Sequence, residues 1–283
     1  MTIEELYHAV AYLGFETRLE DEALRRGFYA ALGRALTQVN LLRPRHRRVP
    51  LYHVKPRNLL PALAPFGHTA GEEIRVSLPG GCAAYTVAAT GTGEMTLIDG
   101  RGERFIRFSS PLETVMTGEV SGDAVLVFGG GDYRVNALGA YYAGVPLGTA
   151  IPGRGVTYRM REMVSDFLSF RHPAVYKDGK VWQGEALFEG DSLRLPEDAE
   201  EGFYEIDLHL AMPTYREEDD GSIELPLDSD LVSLLPELIA SLIWLDDSPE
   251  KAQYYAAVYQ RGYARIASRE REGAGRVLCP NGW

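Results

Sequence analysis

Near the C-terminal end, Leu231, Leu234, Leu235, Leu238, Ile239, Leu242, Ile243 and Leu245 recur every three or four positions, which is the period of one helix face. Asp246-Asp247 breaks that stripe, and Ser248-Pro249-Glu250 opens a second helix. Serine there accepts from an orphan N–H, and proline in the first helical turn gives up no bond. This second helix carries Tyr254, Tyr255, Tyr259 and Tyr263. So short a connection predicts an antiparallel pair, and the leucine and tyrosine stripes read as its core.

The N-terminal region follows the same rule. Thr2 with Glu5 forms a capping box, and Ile3, Leu6, Tyr7, Val10 and Leu13 mark one face of a helix that Gly14 ends. A longer helix from about Glu20 to Leu42 repeats Leu24, Phe28, Leu32, Leu36 and Val39, with Gly27 and Gly33 inside it. From Arg43 to Phe66 the pattern lapses. Pro44, Pro50, Pro56, Pro61 and Pro65 each remove a donor and bias their neighbours toward extended backbone. This segment, 43–70, reads as a proline-rich arm or linker that opens on a basic run of Arg43, Arg45, His46, Arg47 and Arg48.

Between Gly71 and Ala143 seven short runs rich in β-branched and aromatic residues alternate with glycine and Asp-Gly signals. The spacing predicts an antiparallel sandwich of the jelly-roll kind over 71–143. Tyr158–Phe170 reads as a helix on Met160, Met163, Val164, Phe167 and Leu168. A hairpin with an Asp178-Gly179 turn follows, then strands at Ser192–Leu195 and Phe203–Ala211 and an acidic loop at Glu217–Asp220. The predicted class is α+β: a helical bundle from the N- and C-terminal helices (1–42 and 156–268), an inserted antiparallel β-sandwich, and a tail over 269–283.

Charge narrows the functions open to such a chain. With 283 residues and a net charge of −11, electrostatic clamping of nucleic acid is disfavoured, although a negative wall beside passing DNA would keep it from sticking. Cys82 and Cys279 form no metal or redox motif, and the six histidines show no ligand spacing. Nucleophile elbows, zinc helices and phosphate loops are not found in the sequence. Glu185, Glu189 and Asp191 are the nearest thing to paired catalytic carboxylates, and spacing alone does not bring them together. The reading is of a non-enzymatic protein with no cofactor and no metal. No apolar run suits a membrane span, and MTIEELYHAV lacks the order of a signal peptide, so synthesis in the cytoplasm is expected.

The order of elements carries more than any motif. FYAALGRALTQVNLLRP closes the N-terminal helix pair, LRLPEDAEEGFYEIDLHLAMPTY supplies a strand pair, and IELPLDSDLVSLLPELIASLIWLDDSPEKAQYYAAVYQRGYARI ends the helical part. Over Met1–Pro44 and Ser192–Ser268 this resembles the head–tail connector proteins (adaptors of the neck) of tailed bacteriophages. The resemblance implies a virion structural protein: a closed ring of about twelve copies with heterologous interfaces. It would join the portal protein to a tail or stopper protein and surround genomic DNA that passes without specific binding. The 71–143 insertion departs from the family pattern. Candidate docking residues are Arg43, Arg45, Arg47 and Arg48 on the arm, as donors to acidic groups on a partner, and Trp283 in the tail. The alternative is a carbohydrate-binding phage surface or tail protein, with Tyr133, Tyr141 and Tyr142 stacking on sugar rings.

Overall fold

The computed structural model describes residues 1–15, 21–61, 64–68, 73–144 and 148–274. In chain order the elements are α1 (Ile3–Ala11), α2 (Glu22–Leu42), β1 (Arg45–His53), β2 (Phe66–His68), β3 (Ile74–Ser77), β4 (Ala84–Asp99), β5 (Gly102–Glu119), β6 (Val125–Tyr141), β7 (Gly148–Ile151) and β8 (Gly155–Arg159). There follow α3 (Met160–Met163), β9 (Phe167–Lys177), β10 (Lys180–Val181), β11 (Leu187–Glu189), β12 (Ser192–Leu195), β13 (Gly202–Leu210), α4 (Ser229–Val232), α5 (Leu235–Asp247) and α6 (Pro249–Ala274). They divide into a helical unit, Met1–Arg45 with Leu210–Trp283, and a β unit, His46–His209.

In the helical unit the Thr2 side chain accepts from Glu5 N–H while the Glu5 carboxylate accepts from Thr2 N–H, the reciprocal pair that starts α1. The stripes of α1 and α2 then close one core with α5 and α6: Ile3, Leu6, Phe28, Leu32, Leu36, Leu235, Leu238, Ile239 and Tyr259 are all buried in it. Only Ser248 separates α5 from α6, and Leu234 packs against Gly262 while Lys251 lies over Trp244, so the two helices run antiparallel. Phe15 stacks on Trp244 at 4.3 Å, and Tyr255 donates to the Leu13 carbonyl, which fixes the turn after α1 to this pair.

The β unit overturns the predicted fold class. Strand makes up 42% of the chain and helix 28%, in three antiparallel sheets, so the molecule is not a helical bundle decorated by a sandwich. The sheets are ordered β1-β13-β9-β10, β11-β12-β8-β7 and β2-β6-β4-β5, with β3 also paired to β6. The jelly roll of seven short strands is instead a sheet built around β4, with β5 on one side and β6 on the other. Runs read as separate strands fuse into β4, β5 and β6, of 16, 18 and 17 residues.

The glycines that suggested turns are bulges in those strands. Register between β4 and β6 shifts between Gly93 and Glu94, opposite Gly129–Gly131, where Gly131 has φ +111° and a Cβ would overlap the Thr92 carbonyl. Pro111 lies where β5 slips past Thr90, between the pairs Gly91–Ser110 and Ala89–Thr114, so its missing donor breaks no ladder bond.

Two other expectations fail here. Tyr158–Phe170 is the end of β8, one helical turn and the start of β9, because Tyr158 pairs with Leu193 in a ladder that outweighs the four-residue spacing. The proline-rich arm contains a nine-residue strand, β1, at the edge of its sheet, where Pro50 is tolerated and Leu51 and His53 point into the core.

Candidate docking surface

The sheet β1-β13-β9-β10 has one buried side and one open side. On β13, Tyr204, Ile206, Leu208 and Leu210 are fully buried, and the alternate positions Phe203, Glu205, Asp207 and His209 take the other side. On β1 the same alternation sends Leu51 and His53 inward and His46, Arg48, Pro50 and Tyr52 outward. Two contacts fix how the strands align. Arg48 Nε donates to Asp207 Oδ1 at 2.9 Å, and the Tyr52 and Phe203 rings meet edge-on at 4.9 Å. Both require the same antiparallel register, which sets His46 beside His209. Across β13, Ser169 Oγ lies 3.4 Å from His209 Nδ1, which brings β9 into the same rows.

The open side is therefore a ladder of chemically distinct rungs. An exposed aromatic pair, Tyr52 and Phe203, stands at one end. In the middle Arg48 grips Asp207 through two bonds, reaches Glu205 at 3.7 Å and lies over the Tyr176 ring at 4.1 Å. The other end holds His46, His209, Arg171 and His172. The Arg48 hydrogen bond holds the Asp207 carboxyl below the usual carboxylate range despite its burial, and the charges of Arg48 and Arg171 add to this. His209 is pushed the other way from an imidazolium: burial lowers it first, and Arg171, His46 and His172 lower it further by like-charge repulsion.

The four arginines proposed for docking meet different fates. Arg43 is bound within the helical unit to Asp228 at 3.0 Å and Asp230 at 3.3 Å. Arg45 donates to the Ala211 carbonyl, and its own N–H goes to Asn40. Arg48 is the centre of the ladder just described. Arg47 is exposed and makes no ion pair among the described residues. Trp283 lies outside the described residues, as does Cys279; the predicted tail from 269 begins as the last turns of α6. Sequence reasoning missed His209, Arg171 and Asp207. The alternation along Phe203–Ala211 was visible, but the strand that faces it was hidden by prolines.

Of the tyrosines offered for sugar stacking, Tyr133 and Tyr141 are buried in the β unit, and burial pushes the Tyr133 hydroxyl up to about 12. Tyr142 alone is exposed, on the rim of a cavity of about 530 Å³ that Tyr85, Thr117 and Arg101 also line. In the helical unit a shallow groove of about 670 Å³ runs along α2 past Tyr29, Gly33, Thr37 and the largely exposed Leu41 to Tyr215. No cluster of three or more potential metal ligands occurs among the described residues. Asp191 is engaged with Arg161 at 3.7 Å, and Glu185 and Glu189 are exposed.

The β unit also holds a buried histidine, His53, whose Nδ1 lies 2.8 Å from the Tyr158 hydroxyl. Burial lowers its affinity for a proton, as it does for His209. The unfolded chain then binds more protons than the folded one once the pH falls below the ordinary histidine value of 6.5. This stability is complete above that pH and is lost as the pH falls through the folded values. The urea midpoint of the β unit should drop between about pH 7.5 and 5.5, before carboxylates titrate. A midpoint that stays level over that range would contradict the assignment.

No family model matches the chain, and no curated protein matches it.

Proposed function

We propose that the chain is a structural subunit of a tailed-bacteriophage particle, without catalysis: a ring-forming head–tail adaptor at the neck, between portal and tail. The supporting observation is the way the helical unit is made. The helices of the two stretches on which the resemblance rests, the N-terminal pair and the C-terminal pair joined at Ser248-Pro249, condense around one hydrophobic core although most of the chain lies between them; the strand pair of the second stretch lies largely in the β unit. That arrangement keeps a small helical body for ring contacts and leaves the β unit as a separate body with its own docking face. In the ring, heterologous contacts would bring two different patches of neighbouring copies together. An overall charge of −11 suits a lumen through which DNA slides, because few counterions are released on contact.

Density-gradient fractionation of the native source tests this reading. The chain should co-sediment with DNA-containing particles and resist a salt wash. Recovery only in low-mass soluble fractions after assembly is complete would refute the adaptor assignment.

A further inference from the structure

We propose that the histidine and arginine end of the open sheet face docks the acidic loop Glu217–Asp220 of a second copy of the chain, an inference that rests on the ring reading above. The face offers a site of the right sign. His46 on β1, His209 on β13 and Ser169 on β9 lie side by side across three strands, with Arg171 and His172 next along β9. Arg171 is exposed and forms no ion pair among the described residues. Of the two carboxylates on this side of β13, Asp207 is only 10% exposed and already taken by Arg48, and Glu205 also lies 3.7 Å from Arg48. In a chain of net charge −11, such a cationic end has an obvious counterpart.

Glu217-Glu218-Asp219-Asp220 is the longest acidic run in the sequence, and all four residues are exposed. The loop is shaped by its own bonds: Arg216 N–H donates to Asp219, and the Ser222 N–H and hydroxyl donate to Asp220. A nucleic-acid backbone fits less well, because the rungs beyond this end, Arg48 with Asp207 and Glu205 and then Tyr52 with Phe203, add no net positive charge for a longer polyanion.

The contact should also respond to pH. The groups that face it are His46 and Arg48 from β1, Glu205, Asp207 and His209 from β13, and Ser169, Arg171, His172 and Tyr176 from β9. An acidic partner favours the protonated form of an imidazole beside it. Docking therefore tightens as the pH falls.

Sedimentation velocity of the full chain at pH 8 and pH 6 tests the idea, with Arg171→Glu, His46→Gln and the double change Glu217→Lys, Glu218→Lys. All four positions are exposed, and circular dichroism confirms that each variant is folded. Self-association should be about tenfold tighter at the lower pH, and H46Q should reduce that gain. Both charge reversals should weaken association about tenfold or more. An equimolar mixture of the two reversed proteins should restore it, because every face then meets a loop of opposite sign. Assembly indifferent to both reversals would overturn the docking contact while leaving the ring intact. A chain that stays monomeric at both pH values would also overturn it, and particle co-sedimentation would then decide the adaptor reading separately. Binding of a labelled DNA duplex that R171E abolishes, with self-association unchanged, would assign the face to phosphate instead.

Discussion

Replacing Gly155 by alanine should destabilise the β unit by about 4 kcal/mol, among the largest effects expected of any single methyl group in this chain. Gly155 starts β8 with φ +87°, a region that L side chains avoid. A Cβ there would also overlap the Leu195 carbonyl oxygen and lie 2.6 Å from Pro196 C and 2.8 Å from Glu197 N. All three obstacles are backbone, so no rotamer change relieves them. They belong to the last residue of β12 and the two that follow it, and β12 pairs with β8 from Ser192–Arg159 to Leu195–Val156, so relief would require breaking that ladder. Trp182 lies in the same unit against Tyr204, and its fluorescence reports the transition. With a urea slope of roughly 2 kcal/mol per molar, the midpoint should fall by about 2 M. A fall below about 0.5 M would mean that the turn adapts and the clash is not real.

Phe28→Ala should have a comparable effect on the helical unit, about 3–5 kcal/mol. The ring is fully buried, edge-on to both Tyr7 at 5.1 Å and Tyr29 at 5.3 Å. Its loss removes apolar contact and leaves a cavity that two helices crossing at fixed distance cannot collapse. Trp244, stacked on Phe15, is the local reporter for this unit. Unfolding followed there should shift while the Trp182 signal moves much less. A large equal shift at both tryptophans would show that the two units unfold as one, and the assignment of the damage to the helical core would fail.

The helices could be read from sequence because their signals are local. A threonine and a glutamate three residues apart start α1, and Ser248-Pro249 separates α5 from α6, whatever the rest of the chain does. The β unit was less legible because its decisive facts are non-local. Gly129–Gly131 has the composition of a turn, and only the neighbouring strand makes it a bulge. Pro50 suggests a linker until β13 is seen to occupy one side of β1 and leave the other at the sheet edge. Met160, Met163 and Phe167 have helical spacing, yet Leu193 and Gly148, the ladder partners of Tyr158, decide the backbone where that region begins. The docking face suffered the same way. His209 looked structural on its own strand, and its meaning comes from His46, more than 160 residues earlier, on a strand that prolines disguised.

The helical unit draws its core from both ends of the chain, and this imposes an order on synthesis. When α1 and α2 leave the ribosome, the helices that will cover Leu32, Leu36 and Val39 do not yet exist. The about 160 residues of the β unit must be translated first, roughly 10–30 s at ordinary translation rates. The long strand β4 pairs with β5, which follows it directly, and with β6, the next strand on, so this sheet can form during that interval. The nascent protein thus carries a finished β body and an open, apolar helix pair until α5 and α6 arrive. The helical core, and any surface that depends on it, therefore closes only after the β unit has been made.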